Sequence, residues 1–472
     1  MGNGVSAFSV LGQERARPGW LRKWPHAWWL AVGTVCFGAF MGQLDASIVT
    51  LTYRPLQAQF HTSLAAVQWV SLSYLLALTA LLIPIGRLAD VHGRKLTYLY
   101  GFIVFTAASA ACGLAPTLGT LIGFRVIQAI GAAMLQANSV ALVATSAPAH
   151  RMRAALGVQA AAQAIGLALG PTLGGLLVST VGWRWVFGIN IPVGVLAIVA
   201  GFYLLPRTQD RTPARGWDRS GLVLLASAST SLLLGISVVS GLPLPRWAAI
   251  VLLAGAAAAA GGFVARQRRA ATPLIDLALL RQHGVGTGLA GALGGYLVLF
   301  GPLVLIPVTL TAAGSSALHA GLVLTALPAG FALAATAAER LLPARWNDRR
   351  RASLGAGASL VALAGLLAAP ATTGWTTVLL SLLGLALGVF IPANNALVMT
   401  AIPGRSAATG GGLVNMTRSL GTAFGVALVT LALSLERDHL GAGPHLAVLI
   451  LAAVAALTLL CSRLAPHPSR PG

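Results

Sequence analysis

The stretch Gly86-Arg-Leu-Ala-Asp-Val-His-Gly-Arg-Lys95 separates two long apolar runs of the sequence. It carries four charged side chains, Arg87, Asp90, Arg94 and Lys95, in a chain of which only 9% of residues are charged. Short polar segments between apolar runs of this length are typical of the connections between membrane helices. The pattern therefore predicts a ten-residue cytoplasmic turn that joins two membrane-spanning helices.

Apolar stretches long enough to cross a bilayer recur along the whole chain. Of its 472 residues, 57% are hydrophobic, and the mean hydropathy is +0.82. A membrane helix needs about 20 apolar residues, and a helix satisfies its backbone amides internally. The sequence therefore predicts an all-α membrane protein with about fourteen transmembrane helices. We expect them near residues 27–51, 66–86, 97–115, 119–146, 154–180, 185–206, 220–240, 246–265, 284–312, 319–340, 353–370, 375–401, 407–434 and 445–464.

The basic residues predict which helix ends face the cytoplasm. The chain has 31 Lys and Arg against 10 Asp and Glu, a formal net charge of +21. With a cytoplasmic N-terminus, 25 of the 31 fall in cytoplasmic segments, 4 in external segments and 2 within spans. This asymmetry follows the positive-inside rule and predicts that both termini are cytoplasmic. No nucleic-acid partner is expected, because the charge is spread over short segments instead of forming one basic face.

Polar segments divide the predicted spans into groups of six, two and six. We expect a cytoplasmic tail at 1–26, a six-helix bundle at 27–206 and a linker with two additional transmembrane helices at 207–283. A second six-helix bundle is expected at 284–464, followed by a cytoplasmic tail at 465–472. The arrangement therefore predicts two six-helix bundles bridged by an inserted helix pair.

Asp45, Arg125 and Arg418 are the ionisable residues that fall clearly inside predicted spans. Each costs about 2.5–3.5 kcal/mol at a helix centre on insertion scales, so such residues are candidates for function. An isolated carboxyl in a low-dielectric interior favours its neutral form, so Asp45 is a candidate for binding and releasing a proton. The alternatives are a permanent ion pair with Arg125 and a hydrogen bond at a helix contact.

Arg125 shares one face of the fourth predicted span with Gln128, Ala132, Gln136 and Ser139, because these residues are three or four positions apart. The stripe predicts either a water-filled cavity or a packed polar network. Arg125 keeps its proton in proteins, so its expected role is to tune a neighbouring acid.

Other polar residues of the spans extend the candidate substrate cavity, which comprises Gln128, Gln136, Asn138, Gln159, Gln163, Asn394, Asn395, Asn415 and Arg418. In the fifth predicted span, spaced glycines around Pro171 indicate close helix packing, and they are candidates for a moving interface. They are Gly166, Gly170, Gly174 and Gly175.

The sequence shows no metal-ligand cluster, no nucleophile elbow and no phosphate-binding loop. An enzyme is therefore not expected, and neither is a cofactor. Without a nucleotide-binding domain, uphill transport has to draw on the proton-motive force. The expected partners are protons, a small-molecule substrate and the lipid bilayer, with the chain acting as a monomer in the cytoplasmic membrane.

Four motifs in order resemble those of the fourteen-span drug:proton antiporters of the major facilitator superfamily, over nearly the whole chain. They are Leu44–Val49 in the first span, Gly86–Lys95, Arg125–Gly131 and Gly166–Gly175. The resemblance implies a major facilitator fold, and Gly166–Gly175 is similar to a motif found mainly in exporters. Val91, Ala129 and Thr50 depart from the motifs.

The resemblance also implies roles for single residues. Gly86, Asp90, Gly93, Arg94 and Lys95 would form a cytoplasmic gating loop, in which Asp90 holds the bundles together. The span-four arginine of the family, here Arg125, is implicated in proton transfer. The implied function is proton-coupled export of amphipathic small molecules or drugs by alternating access. A dedicated exporter or importer of one metabolite or lipid, and a non-transporting scaffold or sensor, are the alternatives.

Overall fold

Long apolar runs fold as helices here because lipid offers no partner for backbone amides. The computed structural model of the chain describes residues 14, 17–19, 24, 26–148, 151–208, 218–270, 273–274, 277–281, 284–343, 346–368, 372–402, 407–435 and 442–464. In these ranges fourteen helices are long and apolar enough to cross a membrane, which confirms the predicted number. The predicted tail 465–472 and most of 1–26 lie outside the described residues.

The fourteen helices are numbered α1–α14 in chain order. They are α1 (Ala27–Phe60), α2 (Leu64–His92), α3 (Arg94–Gly113), α4 (Leu118–Ser146), α5 (Met152–Thr180), α6 (Arg184–Leu204), α7 (Arg219–Val239), α8 (Arg246–Arg269), α9 (Val285–Ala312), α10 (Ala317–Leu341), α11 (Asp348–Ala368), α12 (Thr373–Ala401), α13 (Ala407–Leu435) and α14 (Ala442–Leu464). A five-residue helix, Leu277–Arg281, precedes α9. Helix α1 contains a 3-10 turn at Val49–Thr52.

The charged segment Gly86–Lys95 is almost entirely helical, so the predicted ten-residue turn is wrong. Helix α2 continues to His92 and α3 begins at Arg94, which leaves Gly93 as the single non-helical residue. Gly93 has φ +114°, a conformation that side chains with a Cβ rarely adopt. The chain therefore reverses within one residue, and the charges lie on helix ends.

The helices form two groups that contact each other along two seams. Helices α1–α6 pack mainly among themselves, and so do α9–α14. Helix α5 packs on α10, and α2 packs on α13. The additional helices α7 and α8 pair with each other, and α7 touches α2 and α13 beside the second seam. We call the end of the molecule near Gly93 the basic end and the end near Ala317 the opposite end.

Helix α5 approaches its neighbours closely because of its glycines. A Cβ on Gly166 or Gly174 would crowd the backbone of α1, and one on Gly170 would overlap Ser47 of α1. A Cβ on Gly175 would overlap the carbonyl oxygen of Ala317 on α10. Helix α5 runs without interruption through Pro171. Three of the four glycines thus pack α5 inside its own group, and one serves the seam with α10.

The seam between α5 and α10 holds the two groups together at the opposite end. The hydroxyl oxygens of Thr172 and Thr325 lie 2.5 Å apart across it. Gly321 of α10 lies against Pro171, where an added Cβ would overlap the proline carbonyl oxygen. Small residues let the two backbones touch, as in other membrane helix pairs. This end of the molecule is therefore closed by backbone contact.

Asp218 caps α7 at the basic end and ties it to α8. Its carboxylate accepts hydrogen bonds from the backbone of Gly221 (3.0 Å) and from the side chains of Arg266 (2.9 Å) and Gln267 (2.7 Å). Burial alone would raise the pKa of Asp218, but these hydrogen bonds and the Arg266 charge lower the pKa overall. The cap therefore stabilises the folded state at neutral pH and is lost only in acid.

We expect Gly321→Ala to weaken the α5–α10 seam, because its new methyl group would push against the Pro171 carbonyl. Overpacking of this kind typically costs about 1–3 kcal/mol. The measurement is the rate of disulfide formation between Thr172→Cys and Thr325→Cys in a chain without its native cysteines. Gly255→Ala is the matched control, because nothing lies within 4 Å of a Cβ at that position. Disulfide formation should be slower with Gly321→Ala than with Gly255→Ala. Equally fast disulfide formation in the two variants would contradict the described seam.

Candidate functional site

The buried charges of α1 and α4 meet in one ion pair. The carboxylate of Asp45 lies 2.6 Å from the Arg125 guanidinium, and the two side chains are 0% and 1% exposed. The sequence left open a proton-binding carboxyl, an ion pair with Arg125 and a hydrogen bond at a helix contact, and the structure places Asp45 in an ion pair with Arg125.

Neutral amides complete the coordination of this pair. The Gln128 amide nitrogen donates to Asp45 (3.0 Å) and to the hydroxyl of Ser109 (2.8 Å), while its oxygen accepts from Arg125 (2.6 Å). The amide nitrogen of Asn190 donates to Asp45 at 3.3 Å. Arg125 also donates to the carbonyl oxygen of Val70 at 2.8 Å. We call Asp45, Arg125, Gln128 and Asn190 the charge cluster, which bonds to residues of α1, α2, α3, α4 and α6.

Two aromatic side chains lie near the buried Arg125 guanidinium. The Arg125 Cζ atom lies 4.2 Å from the ring centroid of Tyr74 on α2, and 5.7 Å from that of Phe187 on α6. A cation over an aromatic face is attracted by the ring quadrupole, most strongly where water is excluded. Arg125 is thus held by an acid, an amide, a carbonyl and two rings.

Tyr74 also lines a small cavity between the two helix groups. We call it the interface cavity, and its volume is about 20 Å³. Its walls come from α1, α2 and α4 on one side and from α9 and α13 on the other. The lining residues are Gly42, Gln43, Ala46, Tyr74, Leu75, Leu78, Gln136, Phe300, Arg418, Ser419 and Thr422. Tyr74 therefore separates the charge cluster from the interface cavity.

Two predicted cavity residues lie in this wall, and others lie elsewhere. Gln136 and Arg418 line the interface cavity, whereas Gln128 belongs to the charge cluster. Asn138 is buried, and its amide bonds to the carbonyl oxygen of Met134 one turn earlier in α4. Gln159 is buried with its amide nitrogen unpartnered among the described residues. Neither amide lines the interface cavity, so the predicted set of cavity residues is only partly found in its wall.

The two amides of α12 differ from each other. Asn394 is buried, donates to the carbonyl oxygen of Gly288 on α9 at 2.8 Å, and lies outside the wall of the interface cavity. An amide in a span can serve a helix contact as well as a ligand. The Asn395 side-chain oxygen is buried and has no partner among the described residues. Gln163 and Asn415 are half-buried and lie outside the interface cavity wall.

The candidate gating loop is built around Gly93. Asp90 bonds to Arg94, four residues later, at 2.9 Å. The structure records no contact of Asp90 with α9–α14 in the described part of the chain, so the expected bridge between bundles is not seen. Lys95 is buried, and its amine donates to the carbonyl oxygens of Leu205 (2.7 Å) and Phe202 (3.1 Å) at the end of α6. A Cβ on Gly86 would touch Ala137 of α4.

A larger cavity of about 140 Å³ lies within the second helix group. Its walls include Pro302, Leu363, Leu379 and Val448, and they are mostly apolar. It lies apart from the charge cluster and from the seams between the groups. Volume alone therefore does not identify the functional cavity, and we assign that role to the polar interface cavity.

Sequence reasoning missed several residues of the site, and three of them bear directly on its chemistry. Tyr74 and Gln43 line the interface cavity, and Asn190 bonds to Asp45. Gln43 and Asn190 carried a usable signal, because a lone amide inside an apolar span is costly unless it is hydrogen-bonded. Tyr74 carried none, since a tyrosine in an apolar helix is also a common packing residue.

Fourteen spanning helices in two packed groups, with buried charges and a polar cavity between the groups, define a multi-pass membrane transporter. The sequence pattern of the Major Facilitator Superfamily matches residues 35–426. The chain therefore belongs to the Major Facilitator Superfamily. Its members are transporters of small molecules and not enzymes.

Named relatives cover most of the chain. The riboflavin transporter RibZ of Clostridioides difficile (strain 630) is 31% identical over 409 residues, which is 84% of this chain and 87% of that protein. The tetracenomycin C resistance and export protein of Streptomyces glaucescens is 30% identical over 409 residues, or 85% of this chain and 75% of that protein. Similarity thus extends both to a drug-export protein and to a vitamin transporter.

A solved structure shares the fold. It is the crystal structure of a bacterial homologue of the human lysosomal transporter Spinster, in an inward-facing and unoccupied conformation. The TM-score is 0.64 at 17% sequence identity, and the match covers 93% of this chain and 98% of that chain. At this identity the likeness establishes the major facilitator fold alone.

We expect Arg125→Met to destabilise the protein strongly, because Asp45 would keep a buried charge without its cation. Breaking a buried ion pair on one side costs about 3–5 kcal/mol. Adding Asp45→Asn should recover most of that loss, since it removes the orphaned charge. Thermal unfolding of the purified variants, followed by tryptophan fluorescence, provides the measurement. Equal unfolding temperatures for the single and double variants would contradict the pairing.

Proposed function

We propose that the protein is a proton-coupled exporter of amphipathic small molecules, and that Asp45 is its proton-binding group. The observation that carries the proposal is the position of Tyr74. Its ring lies 4.2 Å from Arg125 in the charge cluster, and the same residue lines the interface cavity. Only the Tyr74 side chain therefore separates the charge cluster, where the charge of Asp45 would change, from the cavity that would hold the substrate.

Protonation of Asp45 would rearrange the charge cluster. The carboxylate accepts hydrogen bonds from Arg125, Gln128 and Asn190. A proton on Asp45 removes the ion pair and leaves the Arg125 charge uncompensated beside Tyr74. The guanidinium then attracts water or a substrate from the interface cavity, which links proton binding to occupancy of that cavity.

Alternating access would use the two seams. The α5–α10 seam closes the opposite end through Pro171, Gly175 and Gly321. Ile83 of α2 packs on the apolar cluster that contains Leu413 of α13, toward the basic end. Opening one seam while the other stays closed exposes the interface cavity to one side at a time. The close glycine contacts favour rigid rocking of one group against the other.

Orientation and energetics support export. With the basic end in the cytoplasm, the charge distribution obeys the positive-inside rule, and protons from outside would reach Asp45 when the opposite end opens. A proton-motive force of about 150 mV supplies roughly 3.5 kcal/mol per proton. At about 1.4 kcal/mol per tenfold, one proton sustains a gradient on the order of 300-fold. A single titrating acid is therefore sufficient for export against a large gradient.

A dedicated exporter or importer of one metabolite is the second candidate, and the similarity to the riboflavin transporter RibZ favours it. The two candidates differ in breadth. Transport of riboflavin, tetracenomycin C and ethidium into everted membrane vesicles, each in the presence of the other two, measures that breadth. Broad cross-inhibition is expected of a drug exporter, and transport of a single compound is expected of a dedicated carrier. A scaffold or sensor would transport none of them.

We expect Asp45→Asn to abolish transport driven by a pH gradient, because the amide is close to the carboxyl in size and shape but cannot take up a proton. Downhill exchange of substrate should continue. The assay uses proteoliposomes with an internal pH-sensitive dye and follows substrate-dependent proton flux with the compounds named above. Asp348→Asn is the matched control, since Asp348 begins α11, away from the charge cluster. Undiminished uphill transport by Asp45→Asn would remove Asp45 from the mechanism.

A further inference from the structure

We propose that the interface cavity recognises a substrate with an acidic group, and that Arg418 binds that group. The inference deepens the proposed function and rests on it. Arg418 lies near the middle of the 29-residue helix α13 and is half-buried. Among the described residues its recorded contact is the ring of Tyr296, 5.9 Å from its Cζ atom. No described carboxylate pairs with it, in contrast to Arg125.

The charge of the cavity wall supports an anionic ligand. Its eleven lining residues include one cation, Arg418, and no Asp or Glu. A guanidinium at this depth in the membrane carries a large desolvation cost unless a counter-charge or water compensates it. The nearest acid of the charge cluster, Asp45, already binds Arg125 at 2.6 Å behind Tyr74. An acidic substrate would supply the counter-charge that no described residue of the protein provides to Arg418.

Two further polar groups of the cavity wall have no partner among the described residues. They are the hydroxyl of Tyr74 and the side-chain oxygen of Gln136, and both atoms are buried. Buried polar atoms are nearly always hydrogen-bonded, so unsatisfied ones in a cavity indicate a ligand or water. The Gln136 oxygen accepts a hydrogen bond, and the Tyr74 hydroxyl can donate one or accept one. A ligand that carries a hydrogen-bond donor as well as an acid would satisfy both the Gln136 oxygen and Arg418.

Aromatic walls narrow the class of substrate further. Phe300 and Tyr74 line the cavity from opposite helix groups, and planar rings pack favourably against such side chains. The present volume of about 20 Å³ holds about one water molecule, so binding requires the two helix groups to separate. Aromatic acids that bear a hydroxyl group match the guanidinium, the polar atoms and the rings together.

The first test measures the charge preference of the cavity without a known substrate. A single thiol, Ser419→Cys, is placed on the cavity wall after the three native cysteines are replaced by Ser. It is labelled with anionic sulfonatoethyl methanethiosulfonate or cationic trimethylammonioethyl methanethiosulfonate. Each labelling rate is divided by the rate at which the same reagent reacts with the free thiol mercaptoethanol in solution. We expect the normalised anionic rate to be higher by about tenfold or more, because a nearby charge acts strongly in a low-dielectric cavity.

Variants of Arg418 assign this preference to the guanidinium. Arg418→Gln should abolish the preference, Arg418→Lys should keep it, and Arg246→Gln should leave it unchanged because Arg246 is exposed at the start of α8. If Arg418→Gln does not fold, the Lys variant and the parent still report the sign of the preference. A cationic preference, an absence of preference, or no labelling by either reagent would overturn the proposal.

The second test uses two phenols of opposite charge. We expect para-hydroxybenzoate to protect the thiol from labelling, whereas tyramine should not. Protection by tyramine, or none by para-hydroxybenzoate, would overturn the assignment of an acidic substrate. These outcomes are separate from proton coupling. Anion-selective labelling combined with full uphill transport by Asp45→Asn would leave Arg418 as the anchor and refute only the proposed coupling.

Discussion

The structure depends on neutralising a carboxylate and a guanidinium that are both sealed from water. Asp45 and Arg125 lie 2.6 Å apart with 0% and 1% exposure, and either charge alone would be strongly unfavourable at that depth. The pair and its amides connect α1, α2, α3, α4 and α6, so the first helix group is fixed around one electrostatic centre. A site that depends on charge balance is also a site that a single proton can disturb.

Arg418 of the second helix group lies in a different environment from Arg125. Arg125 is satisfied by its own chain, whereas Arg418 faces the cavity between the groups with no described acidic partner. Tyr74 lies between the two guanidinium groups as a wall that both sides share. In our account one arginine tunes proton binding and the other binds the substrate. The separation of the two roles explains why one acid can serve a chain with a buried and a half-buried arginine inside its spans.

The helices were predictable, and their mutual contacts were only partly so. Fourteen apolar runs predicted fourteen spans, because length and hydropathy suffice for that. Asp45 and Arg125 stood out as charges among apolar neighbours. That they pair with each other depends on the packing of α1 on α4, which the sequence pattern does not reveal. The segment Gly86–Lys95 was mistaken for a turn, because charge predicts exposure and helices can extend beyond the apolar core. The helix contact of Asn394 was not predictable, since an amide suits a helix contact as well as a cavity. Tyr74 gave no polar signal in an apolar run.

Infrared difference spectroscopy of the reconstituted protein tests the central claim most directly, because the carbonyl stretch of a protonated carboxyl is resolved from that of a carboxylate. The spectra of the parent protein and of Asp45→Asn would be recorded while the pH is lowered within the range in which both stay folded. Our account predicts a protonated-carboxyl band that appears in the parent protein and is missing in Asp45→Asn. Identical titration spectra for the two proteins would show that Asp45 does not take up a proton, and would contradict the account.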